Sequence, residues 1–202
     1  MWTTITDMQS VKGQEHVKRG LEVAAVSGHG IVLIGPPGSG KKTLKEAFKT
    51  IATSVQRVEL MEPCPCGHFT DPNEECNCTP KEIQAHLELK VEELELGTVD
   101  IHLEVPKLNQ EALTEKRRGE SSATIKDRIE GFRNNGRTDE LDKDAEELLK
   151  LAILELGISA LAYDKILRVA ATIAQMDNSE TIQAHHISEA ISYRSLDRNL
   201  WG

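Results

Sequence analysis

Ile31-Val32-Leu33-Ile34-Gly35-Pro36-Pro37-Gly38-Ser39-Gly40-Lys41-Lys42-Thr43 is the stretch on which the fold turns. Four apolar residues bounded by glycines suit a short strand buried on both faces of a parallel sheet. The next six residues hold three glycines and two prolines, a composition that turns the chain. From Lys41 onward Leu44, Phe48 and Ile51 recur at helical spacing, so the order is strand, glycine-rich loop, helix. Gly35, Pro36, Pro37, Gly38, Ser39, Gly40 and Lys41 match the first seven positions of the phosphate-binding pattern Gly-x-x-x-x-Gly-Lys-Ser/Thr. Glycines let backbone N–H groups curl around phosphate oxygens, the helix adds the positive end of its dipole, and the lysine reaches the β and γ phosphates. These residues, with Lys42 and Thr43, are the candidate nucleotide-binding set. The eighth position is Lys42, where a hydroxyl should ligate Mg²⁺. Thr43 comes one residue late, about 100° further round the helix. Sliding the register would put Lys41 where the last glycine belongs, so either the Mg²⁺ site is incomplete or the loop is distorted.

Upstream, Val17, Leu21, Ala24 and Ala25 form one helical face that Gly28 ends. Downstream, residues 55–61 read as a strand. A cysteine segment follows, whose Pro63, Pro65, Gly67 and Pro72 forbid regular structure. Thr79-Pro80-Lys81-Glu82 has the cap, first-turn proline and returning glutamate of a helix start, and that helix shows Ile83, Leu87, Val91 and Leu94 up to Gly97. Val99, Ile101, Leu103 and Val105 alternate with polar residues, predicting an edge strand exposed on one face. After Lys107 the β signal ends. Ser122 can cap a helix carrying Ile125, Ile129 and Phe132, broken by Asn134-Asn135-Gly136, and three more helical patterns span 141–156, 159–175 and 185–196. The predicted class is α/β, a reduced P-loop NTPase core with a C-terminal all-helical lid. Its parts are a core over 1–106 with a cysteine loop at 63–79, a connecting helical segment over 107–137, and a lid over 138–202. Leu148, Leu151, Ile166, Val169, Ile173 and Ile191 should bury against the core.

All four cysteines lie between Cys64 and Cys78, the wrong distribution for disulfides that staple distant segments. Cys64 and Cys66, with Cys76 and Cys78, can present four thiolates tetrahedrally to zinc, which would brace a loop unable to hold itself. The one-residue spacing within each pair is tighter than usual, His68 can replace one ligand, and the alternative is reduced cysteines in a surface loop.

With 202 residues, 24 Lys plus Arg against 33 Asp plus Glu and a net charge of −9, the surface repels phosphate backbones except where bases cluster. Two Trp, two Tyr and three Phe offer little for base stacking, which together argue against nonspecific nucleic-acid coating. The basic run Lys116-Arg117-Arg118 can touch nucleic acid or simply cap a solvated helix end. His185-His186 reads as a cap and a core-edge residue. No stretch reaches the roughly 18 apolar residues of a membrane span, and the acidic start lacks a leader pattern, so a soluble cytoplasmic protein without membrane partners is expected.

Together these residues resemble the AAA+ ATPases related to magnesium chelatase subunit I, and most closely the competence protein ComM group. The resemblance rests on Val11-Lys12-Gly13-Gln14-Glu15-His16, Gly35 to Lys41, Pro63-Cys64-Pro65-Cys66-Gly67, Cys76 and Cys78. It extends through Asp100-Ile101-His102-Leu103-Glu104-Val105-Pro106, Gly119-Glu120-Ser121-Ser122 and Tyr193-Arg194-Ser195-Leu196-Asp197-Arg198. It implies a P-loop core binding ATP, a helical lid, and assembly with AAA+ partners as homo- or hetero-oligomers that act on DNA or a chelatase partner. It also exposes departures. The family's segment before the cysteine motif, with its Walker B acids, is missing. Glu62 stands where the family's asparagine senses the γ phosphate. Thr98 stands at the place of the trans-acting arginine, and Leu161 at that of the lid arginine. With Lys42, five catalytic elements are altered or absent. The expectation is a nucleotide-binding module with weak or no hydrolysis of its own and no assigned catalytic residue. The alternatives are an interaction module that has lost nucleotide binding, or an active DNA-linked ATPase using Glu62 as substitute acid.

Overall fold

The structure is a computed structural model describing residues 7–52, 57–109, 112, 114 and 119–197. Its described elements run α1 (Glu15–Ser27), β1 (Ile31–Ile34), α2 (Lys41–Phe48), β2 (Val58–Met61), α3 (Pro80–Glu93), β3 (Ile101–Glu104), α4 (Ser122–Arg133), α5 (Lys143–Leu156), α6 (Ala160–Met176) and α7 (Ala184–Ser192). The three strands form one parallel sheet in the order β2-β1-β3, with Ile31 level with Val58 and Ile101. Parallel neighbours need crossovers, which α2 and α3 supply. The class read from the sequence, an α/β P-loop core carrying a helical lid, is the one observed.

Every residue of β1 is buried, as expected for a central strand covered on both faces. One face sets Ile31, Leu33, Ile101 and Leu103 against α1 and α2, and the same core continues into Ile129 of α4 and into Leu149, Ile166, Val169 and Ile187 of the lid helices. The other face sets Val32, Ile34, Met61 and Val99 against Ile83 and Leu87 of α3 and against Cys64. Lid and core therefore share one apolar interior. Local signals act as read at several boundaries. Gly28 closes α1 in the left-handed conformation, and at the start of α3 Thr79 and Glu82 exchange both bonds of a capping box.

Three readings need correction. The polar residues of the alternating stretch are not a solvent face. Asp100 and His102 are buried, because His29 Nδ1 lies 3.0 Å from Asp100 Oδ2 and Arg168 Nη2 donates to Oδ1 at 2.5 Å. The edge of β3 is covered as well, since the His102 N–H donates to the Tyr193 carbonyl at 2.7 Å. Second, of the lid residues expected inside, Leu151 is 56% exposed and Leu148 only partly buried. Third, Val91 of α3 is exposed. A helical pattern shows which residues share a face, while the extent of the covering partner decides how much of that face is buried. Val55, Lys116-Arg117-Arg118 and Arg198 lie outside the described residues.

Candidate functional site

The glycine-rich loop leaves the C-terminal end of β1 and enters α2 at Lys41. Gly38 (φ +78°) and Gly40 (φ +96°) both adopt left-handed backbone, which costs a side-chain-bearing residue but not glycine. This decides the register. Sliding the motif would force Lys41 into a glycine's conformation, whereas Lys41 is the first residue of α2 and Gly40 its cap. Lys42, exposed, therefore takes the eighth position of the pattern, and Thr43, half-buried, follows it. Lys41 itself is buried and folded back, its Nζ donating to the carbonyls of Gly35 at 2.5 Å and Pro36 at 2.9 Å. Burial pushes its pKa below the ordinary lysine value, and the nearby Glu62 carboxylate opposes that shift. The Ser39 hydroxyl is buried without a hydrogen-bond partner among the described residues. Beside Gly35 opens a cavity of about 400 Å³, walled by Val17, Ile34, Val105, Pro106 and Leu108.

Glu62 follows the end of β2, and its Oε1 lies 3.7 Å from Lys41 Nζ, with the carboxylate half exposed. The structure thus puts an acid next to the lysine of the glycine-rich loop. Thr98 is engaged by a residue that the sequence did not single out. Arg57, just before β2, donates to Thr98 Oγ1 at 2.8 Å and to the Leu94 carbonyl at 2.6 Å, and it pairs with Glu59 and Glu95. With two carboxylates and a carbonyl already satisfied, it acts as a clasp between β2 and the end of α3. No periodicity or motif marks such an arginine. Leu161 sits exposed in the first turn of α6.

On the opposite face of the sheet the four cysteines converge. Cys64 Sγ is 3.4 Å from Cys66 Sγ and 3.8 Å from Cys76 Sγ, Cys66 and Cys76 are 3.6 Å apart, and Cys78 completes a group whose sulfurs all lie within 4.8 Å. His68 is no part of it, its Nδ1 facing Asp71 Oδ2 at 3.2 Å. The backbone N–H of His68 stabilises a Cys66 thiolate and, with its thiol neighbours, brings its pKa down to about 6. His185 and His186 fall within reach of Asp177, but His186 Nδ1 accepts the Gln183 N–H at 2.9 Å. The neutral ring therefore carries its proton on Nε2, toward Asp177, which is the geometry of a cap and not of a metal ligand.

Residues 7–62 and 52–113 match the family model of magnesium chelatase subunit ChlI, and residues 133–194 match that of its C-terminal part. The chain belongs to the magnesium chelatase ChlI family. Among relatives of this ChlI-type chain, the uncharacterized protein YifB of Escherichia coli (strain K12) is 26% identical over 314 residues, covering 96% of this chain and 61% of the relative. YifB of Salmonella typhimurium is 24% identical, covering 98% and 62%. Competence protein ComM of Haemophilus influenzae is 32% identical over 164 residues, covering 72% of this chain and 31% of ComM. The chain thus spans about three fifths of the YifB proteins. The aligned span of 314 residues exceeds the 202 present here, so YifB carries segments with no counterpart in this ChlI-type chain. The family model uses residues 52–62, a stretch that includes β2, in both of its matches. Among the described residues no helix is long and apolar enough to cross a membrane.

Proposed function

We propose that this chain is a nucleotide-binding AAA+ module that takes the phosphates of ATP on residues 38–41 and, acting alone, hydrolyses it near background. The observation carrying this reading is the loop itself: two glycines in left-handed backbone, the N-terminus of α2 behind them, and a buried lysine parked on the carbonyls of Gly35 and Pro36. A lysine so placed needs only to swing from those carbonyls to phosphate oxygens, while the loop N–H groups and the helix dipole supply the rest of the attraction. The cavity beside Gly35 is mainly apolar and adjoins the loop, which suits the nucleoside portion.

Hydrolysis asks for more. It needs a placed Mg²⁺, a group to orient water and positive charge on the transition state. Lys42, Glu62, Thr98 and Leu161 occupy the places of those groups, and a missing arginine finger alone costs on the order of 10³ to 10⁵ in rate. Mg²⁺ would therefore add little to ATP binding.

The second reading, an interaction module, is favoured by Leu151, Leu154 and Leu161, exposed side chains where α5 ends and α6 begins. Large apolar side chains left in solvent can serve contacts with other chains, which suits assembly with AAA+ partners; action on DNA rests on the resemblance to the ComM group. ATP titration with and without Mg²⁺, on the chain and its Lys41→Ala variant, separates the readings. Saturable binding lost in Lys41→Ala supports the first. No binding at millimolar ATP supports the second. Multiple-turnover phosphate release abolished by Lys41→Ala would overturn both and point to Glu62 as the acid.

A further inference from the structure

We infer that Cys64, Cys66, Cys76 and Cys78 hold one structural Zn²⁺, and that this ion clamps the phosphate loop so that nucleotide affinity depends on metal loading. The coupling rests on the nucleotide reading above; the metal site does not.

The site follows from sulfur geometry. Four thiolates about 2.3 Å from a tetrahedral Zn²⁺ lie about 3.8 Å from one another. The three close separations are 3.4, 3.6 and 3.8 Å, and Cys78 falls within the same small volume. An iron–sulfur cluster, several atoms wide, would hold its cysteines further apart than one ion does. The Phe69 N–H donates to Cys64 Sγ at 3.3 Å, the type of outer hydrogen bond that orients a ligating thiolate. Cys64 is buried and the others half-buried, so four sulfurs share one confined space of the size a single ion fills. Binding displaces the remaining thiol protons as the Zn–S bonds form.

The clamp follows from what this loop touches. Gly67, at φ +83°, lies so close to the phosphate loop that a Cβ there would come within 2.9 Å of Pro37 Cδ. Asp71, on the same cysteine loop, accepts from Lys107 Nζ at 2.6 Å. The Lys107 stem passes over Gly38, its Cε 4.0 Å from where a Cβ would stand. Glu62, two residues before Cys64, faces Lys41. The cysteine loop therefore backs the phosphate loop at Pro37, Gly38 and Lys41. Between Cys64 and Cys78 the backbone–backbone bonds include Gly67 to Cys64 and Asp71 to His68, and no described helix or strand spans the loop, so its shape rests on turns and side chains. The metal supplies the missing rigidity.

The test uses the full chain purified under reductant. Elemental analysis should give one zinc per chain, and Co²⁺ exchange should give the intense visible bands of a tetrahedral thiolate site. Stripping the metal should speed hydrogen exchange of the amides at 38–41 and weaken binding of a fluorescent ATP analogue at least about tenfold, the equivalent of about 1.4 kcal/mol. Lys41→Ala should lose the nucleotide and keep its zinc. If the loaded chain binds no nucleotide, the nucleotide reading has failed, and amide exchange alone decides the clamp. Absence of both zinc and the cobalt spectrum overturns the site. Equal loop exchange in loaded and stripped chains overturns the clamp, and so does equal affinity. Should stripping unfold the chain, Asp71→Asn keeps all four ligands and cuts the Lys107 tether. It should retain zinc and show faster loop exchange, and unchanged exchange there overturns the clamp.

Discussion

Glu62→Gln should make this chain bind ATP more tightly at neutral pH. The carboxylate lies 3.7 Å from Lys41 Nζ and is half exposed, whereas Lys41 is buried. In surroundings close to water, Coulomb attraction at that distance is worth about 1 kcal/mol, and phosphate must compete with it for the ammonium. A phosphate bound to Lys41 would sit about 6 Å from the same carboxylate, adding repulsion of about 0.7 kcal/mol per phosphate charge. Side-chain mobility and salt discount the sum to roughly 1.4 kcal/mol, which is about tenfold in affinity. Glutamine keeps the shape and leaves intact the contact of His86 with the Glu62 backbone carbonyl. Calorimetric titration with a slowly hydrolysed ATP analogue at two salt concentrations measures the effect, and the gain should shrink at the higher salt. pH adds a second check. Burial lowers the Lys41 pKa and Glu62 opposes that shift, so removing the acid lets the pKa fall further. The advantage should therefore narrow as pH rises toward the lysine range, where the variant loses its charge first. Unchanged or weaker binding at pH 7, in a variant with the parent melting temperature, would refute the reasoning and favour Glu62 as a Mg²⁺ or water ligand.

Other outcomes follow from the same contacts. Gly35→Ala places a Cβ 2.2 Å from the Val105 carbonyl oxygen, so it should cost about 1–3 kcal/mol in denaturant unfolding and displace the phosphate loop. Asp100→Ala leaves His29 and Arg168 without their shared carboxylate. Because the arginine is largely exposed, the loss should be about 2–3 kcal/mol, below the range for a fully buried pair, and Arg168→Met in the same background should add little more. His102 is held neutral by burial and by the charges of Arg194 and Lys165, with its folded pKa well below 6.5. Its contribution is complete above the unfolded value near 6.5 and is lost as pH falls below it, at up to about 1.4 kcal/mol per pH unit. His102→Asn should flatten that slope in urea titrations between pH 5 and 7.

The sequence by itself determined what local chemistry controls. Gly38 and Gly40 announce left-handed backbone because glycine adopts it without steric cost, Thr79 with Glu82 announces a helix start, and Ile31 to Ile34 announces a strand covered on both sides. These signals place the phosphate loop and the order of elements, and the cysteine spacing singles out the four sulfurs that converge. Contacts between distant segments were decided only by the tertiary structure. Asp100 and His102 alternate like a solvent face, yet they are buried because His29, Arg168 and the Tyr193 segment arrive to satisfy them. Leu151 has the periodicity of a core residue, yet it is exposed because no described element extends far enough to cover it. Arg57 reaches Thr98 across 41 positions, and Gly67 comes to rest on Pro37. Periodicity reports which side chains share a face, but burial and polar pairing depend on what the rest of the chain brings to that face.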